Sequence, residues 1–155
     1  MMPKPDTDKI HFHFLVPPFH FSHRSRLKSF LINQLKKEGR TVGAIHYVFC
    51  DDQYLLTINQ EFLRHKTYTD IITFELSSKT QPLLSDIYIS VERVRENARL
   101  FNCSFRVELH RVIFHGLLHL VGYKDKSAAQ AKQIRKQEDL WLRYYFVPRE
   151  THMKD

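Results

Sequence analysis

Cysteine is nearly absent from this chain. Of 155 residues only Cys50 and Cys103 are cysteines, far apart and in no CxxC spacing. That excludes a disulfide framework and a thiolate zinc knot, and it agrees with a reducing, cytoplasmic setting. Residues 1–9 lack the apolar core of a secretory signal, and no stretch is long and apolar enough to span a bilayer, so an unprocessed protein with no membrane partner is expected. Internal repeats, low-complexity tracts and a second domain boundary are also lacking. The reading is one domain over residues 1–155, with 1–9 and 148–155 as flexible ends.

The length suffices for a sizeable core without covalent staples. A formal charge of +7 and a pI near 9.5 favour a polyanionic partner, because basic surfaces bind phosphate backbones through counterion release. Charge alone does not identify nucleic acid.

In residues 10–15, Ile10, Phe12 and Phe14 alternate with His11 and His13, the period of a half-buried strand with the histidines on its surface, until Pro17 and Pro18 stop it. Residues 24–38 keep helical spacing at Leu27, Phe30, Leu31 and Leu35, with Gly39 as the stop. Residues 44–50 read as a strand, and Asp51 or Asp52 caps a helix over 53–63. A polar, basic loop at 64–70 leads to a strand at 71–76, a turn or loop at 77–85 and a short strand at 86–90. Amphipathic residues follow to Phe101, and a nearly apolar helix over 105–121 reads as central and buried. Ser127 can cap a last helix to about Phe146. The fold class is therefore α+β, with a four-stranded sheet covered by helices.

The central helix carries His115 and His119. Four residues apart on a helix, their imidazoles project from one face. Gly122 is the residue type that most easily ends a helix in the left-handed conformation, and Asp125 lies where the returning chain can close a third ligand position. Two imidazoles on so apolar a helix would bury polar groups, and a cation between them satisfies both. Nitrogen ligands with one carboxylate suit zinc, one per chain, and three protein ligands leave a fourth position open for catalysis. In the alternative, Asp125 only caps the last helix.

The spacing overlays the metzincin motif H-E-x-x-H-x-x-G-x-x-H, but the glutamate that serves there as general base is Gly116 here, which argues against proteolysis. The whole stretch, His115-Gly-Leu-Leu-His119-Leu-Val-Gly-Tyr123, resembles the HGxLHLxGYDH signature of the YbeY family, bacterial metal-dependent endoribonucleases of ribosomal RNA maturation. Ile58-Asn59 through Thr69-Asp70-Ile71-Ile72-Thr73-Phe74 resembles its LNxxxR…TDVLSF region, Leu84-Ser85-Asp86-Ile87 its LGDI, and residues 134–138 part of its last helix. The resemblance covers about residues 58–142. It implies a zincin-like domain with zinc at the end of the central helix, and a nuclease acting on ribosomal RNA at the small ribosomal subunit, preferring single strands and maturing the 3′ end of 16S RNA.

The sequence departs from that pattern twice. The family's third histidine falls at Asp125, whose carboxylate lowers the net positive charge at a bound metal and should displace activity toward alkaline pH. An arginine common in the family falls at Leu63, leaving Arg64 and His65, followed by Lys66, as the candidates for phosphate contact. The proton acceptor stays open, and the RNA 2′-OH is one candidate nucleophile. The rivals are a non-enzymatic ribosome-assembly factor with a structural zinc, and another metal hydrolase such as a residual protease.

Overall fold

A computed structural model describes residues 6–63 and 69–147. After a 3-10 turn at Asp6–Lys9 the elements are β1 (Ile10–Phe14), α1 (Arg24–Lys37), β2 (Val42–Cys50), α2 (Asp52–Phe62), β3 (Ile71–Glu75), β4 (Leu83–Ser90), α3 (Val91–Leu100), α4 (Phe105–Leu120) and α5 (Ala128–Phe146). The strand order is β1-β2-β4-β3, with β1, β2 and β4 parallel and β3 antiparallel to β4. Parallel neighbours need crossovers, and α1 supplies the one from β1 to β2. This is the expected α+β architecture with a mixed, four-stranded sheet.

Alternation along the strands sorts the two faces. Ile10, Ile45, Tyr47, Phe49, Ile87 and Ile89 are fully buried beneath α1 and α4, and Phe12 and Phe14 pack against the same core. The opposite face is covered in part by α2, whose Leu55 and Ile58 join Cys50 and Ile72, with Phe74 and Tyr88 packed alongside. His11 and His13 lie on the side of β1 away from the main core.

One expectation is corrected. Residues 77–85 do not form a loop throughout, because β4 begins at Leu83. Leu83 is buried, its N–H donates to Thr41 O at 2.8 Å, and the Ser85 hydroxyl donates to Phe74 O at 2.7 Å. Pro82 sits just outside the strand, where its missing N–H costs no ladder bond.

α4 is the axis of the helical layer. Ser104 starts it by accepting from Val107 N, and α5 packs along it through Trp141 and Tyr145 against Phe114. The helix also lies close on the sheet. Tyr47 OH donates to Ile113 O at 3.1 Å, and a Cβ built on Gly116 would meet Ile71 Cδ1 at 3.0 Å and Ile87 at 3.4 Å. Position 116 therefore faces the sheet and has no room for the long acidic side chain of the metzincin pattern. Among the described residues, no helix is long and apolar enough to cross a membrane.

Candidate metal centre

The centre is built where α4 stops. Gly122, at φ 110°, lies in the region that favours glycine. Its N–H donates to His119 O and that of Tyr123 to Leu118 O, both at 3.0 Å, the paired bonds that close a helix before the chain reverses. The reversal carries Asp125 back beside the last two turns. Its Oδ2 lies 3.4 Å from His115 Nε2 and 3.3 Å from His119 Nε2, and the two imidazole nitrogens are 2.9 Å apart. These three residues could hold a metal ion.

The fit can be tested against a tetrahedral ion. Ligand bonds of about 2.0–2.1 Å place neighbouring ligand atoms about 3.3–3.4 Å apart. The two edges that include Asp125 have that length, and the third needs to open by about half an ångström. The alternative role for Asp125 is excluded. Ser127 caps α5, accepting from Gln130 N at 3.1 Å while Gln130 Oε1 accepts from Ser127 N at 3.2 Å.

The histidines are less deeply buried than the apolar character of α4 suggests. Their side chains are 21% and 31% exposed, because they lie on the face of α4 that lines a cleft, whereas Gly116, Leu117 and Leu118 of the same turns are packed inward. Among the described residues the fully enclosed histidine is His110, 2% exposed, which no motif in the sequence singles out. Its Nδ1 donates to Arg106 O at 2.7 Å, and aromatic neighbours surround it, among them Phe21, Phe114, Tyr145 and Phe146. Burial pushes its pKa down to about 4.

A carboxylate on α5 orients the site. Glu138 is buried, and its Oε2 accepts from His115 Nδ1 at 2.5 Å, so Nε2 keeps its lone pair for the cleft. Its other oxygen faces Arg111 at 3.6 Å and Arg135 at 3.8 Å, and Arg111 also pairs with Asp139 at 2.7 Å. Burial works against a charged His115, but the hydrogen bond and charge of Glu138, with Asp70 and Asp125, outweigh it and hold its pKa above the ordinary value. Sequence reasoning did not single out Glu138. The signal was present in its spacing with Ile134, Trp141 and Tyr145, which puts a carboxylate on the buried face of α5.

Two clefts meet at His115. One, of about 600 Å³, is lined by Asn59, Leu63, Thr69, Asp70, His119 and Asp125 among others. The second, of about 550 Å³, includes Arg111, Lys132 and Arg135. Asp70 lines both. Burial pushes its carboxyl up, with His115 pulling the other way, and Asn97 Nδ2 donates to it at 3.3 Å. Arg64 and His65, the expected phosphate contacts, lie outside the described residues; Leu63 and Thr69, on either side, line the first cleft.

Comparison with known proteins shows the family. Residues 20–145 match the sequence model of the family described as Endoribonuclease YbeY. A protein of that name from Cytophaga hutchinsonii is 43% identical over 124 residues, 80% of this chain and 87% of its own. Another, from Flavobacterium johnsoniae, is 46% identical over 129 residues, covering 83% and 92%. The solution structure of TM1509 from Thermotoga maritima superposes with a TM-score of 0.61 at 25% identity, over 92% of this chain and 93% of that one. The match spans both helices and the loop that build the centre, and the chain belongs to the YbeY endoribonuclease family.

Proposed function

We propose that this protein is a zinc-dependent endoribonuclease that cleaves single-stranded ribosomal RNA at the small ribosomal subunit, in maturation of the 16S 3′ end. The observation that carries the reading is the convergence of His115 Nε2, His119 Nε2 and Asp125 Oδ2, with Glu138 behind His115, at the junction of two clefts. Zinc held there supplies Lewis acidity to a phosphoryl oxygen.

The chain's own groups do the remaining work. Glu138 fixes the His115 tautomer and balances Arg111 and Arg135. Asp70 lines both clefts, and burial raises the pKa of its carboxyl against the pull of His115, which makes it the candidate proton acceptor beside the centre. Arg64 and His65 are the proposed phosphate contacts, on a segment whose neighbours Leu63 and Thr69 form the cleft wall. Lys132 and Arg135 offer positive charge along the second cleft, in keeping with an RNA strand that crosses the junction. A cytoplasmic location follows from that substrate.

One observation favours the rival with a structural zinc. The ligands and Glu138 join α4, the reversing loop and α5, so a metal would also tie those elements together. The open cleft beside half-exposed imidazoles favours catalysis, since structural zinc sites are closed by a fourth protein ligand. Chelation followed by zinc repletion, assayed on matched single-stranded, duplex and deoxy substrates, separates the readings. The nuclease reading expects cleavage of single-stranded RNA to vanish and return while far-UV dichroism holds. Loss of helical signal on chelation without any metal-linked cleavage would favour the structural role.

A further inference from the structure

A second group of histidines lies on the other face of the sheet, on strands that contribute nothing to the α4 centre. His11 and His13 are two apart on β1, and His46 on β2 is the direct register partner of His11. In a parallel pair, registered residues point to the same side, and residues two apart share it at about 6.6 Å along the strand, with the neighbouring strand about 4.8 Å away. The three side chains therefore rise from the corners of a small triangle. His11 and His46 are half-buried and His13 is exposed.

The contacts among them are close. His13 Nε2 and His46 Nδ1 are 2.8 Å apart, with ring centroids at 5.0 Å and planes within 22°. Those values describe two nearly coplanar rings meeting nitrogen to nitrogen, so their in-plane lone pairs aim at one point, which in the neutral pair a shared proton occupies. His11 stacks on His46 at 4.7 Å and 13°. Asp86 of β4 is the register partner of His46 on its other side, which puts a carboxylate on the same row of the sheet.

We propose that His11, His13 and His46 form a second site for a transition-metal cation of the zinc class. To hold the cation, the His13 and His46 rings tilt so that their lone pairs converge beside the line of the present hydrogen bond, and their nitrogens separate from 2.8 Å to the tetrahedral edge of about 3.3–3.4 Å. His11 turns from its stacked position to present a nitrogen, and water or Asp86 completes the shell. Three imidazoles on a strand pair are a donor set suited to zinc, nickel or copper, and hard oxygen-seeking cations are poorly served by it. The assignment is independent of the α4 centre, because no residue is shared and the two sets lie on different elements.

The test is zinc stoichiometry of the full-length chain without an affinity tag, by equilibrium dialysis against micromolar zinc followed by metal analysis. Wild type is expected to hold two equivalents and His46→Gln one, with RNA cleavage unchanged. His13→Thr, at an exposed strand position, serves as the second variant and is expected to behave alike. If wild type and both folded variants hold the same amount of zinc, the proposal is overturned. His119→Ala keeps the two sites apart. Zinc lost from His46→Gln but not from His119→Ala would sustain this site and remove the metal from α4, whereas the reverse would overturn this site alone.

Discussion

Glu138 on α5 accepts a hydrogen bond from His115 on α4 at 2.5 Å, so the last helix sets the tautomer of a candidate ligand carried by the central one. Carboxylates in this position raise the basicity of a ligating imidazole and fix its ring, and their loss typically costs about 10- to 100-fold in metal affinity or activity. Glu138→Gln should fold and weaken metal retention by about that factor. Competition with a chelator of known affinity measures it, and an unaltered affinity would show that Glu138 serves packing alone.

Asp125 stands where the family's pattern has histidine. Its carboxylate cancels charge that a third imidazole would leave in place, so the rise of activity with pH should lie further to the alkaline side than in Asp125→His. Profiles of kcat/KM for both proteins on one RNA test this. Coincident profiles would mean that Asp125 does not reach the metal.

His110 sets a limit on acid stability. Its pKa is about 4 in the folded chain, against an ordinary value of about 6.5 when unfolded. Between those values the unfolded chain binds the extra proton, so stability falls as pH is lowered. The contribution is fully present above about pH 6.5 and is lost toward pH 4, by about 3 kcal/mol in all. Urea unfolding of wild type and His110→Phe across this range should show a steep loss for the first and a shallower one for the second.

Gly116 records how closely α4 lies on the sheet. Alanine there gains about 1 kcal/mol of helix propensity but crowds Ile71 Cδ1 at 3.0 Å, so Gly116→Ala should fall within about 1 kcal/mol of wild type. Gly116→Glu restores the metzincin pattern, yet it drives a charged chain into Ile71 and Ile87 and should cost about 3 kcal/mol or more without creating peptidase activity. Thermal unfolding and a casein assay check both parts.

Much of the fold was legible because its signals are local. Alternation marked β1, and aspartate and serine marked the starts of α2 and α5. Gly122 announced the reversal that returns Asp125 to the histidines. What escaped depends on contacts distant in sequence. Leu83–Ser85 joins β4 because Thr41 and Phe74 are in reach, and Glu138 matters only because α5 lies along α4. The exposure of His115 and His119 was misjudged for a related reason. Apolar content describes α4 as a whole, whereas His115 and His119 share the one face of its last turns that lines a cleft. His11, His13 and His46 were likewise readable singly, but only the parallel register of β1 and β2 sets them side by side.

The most direct measurement is metal content per chain in wild type, His119→Ala and Asp125→Ala, each confirmed as folded, with RNA cleavage assayed on the same samples. The account predicts that zinc at the α4 centre and cleavage fall together in both variants. Cleavage that persists in folded protein from which that zinc has gone would contradict it.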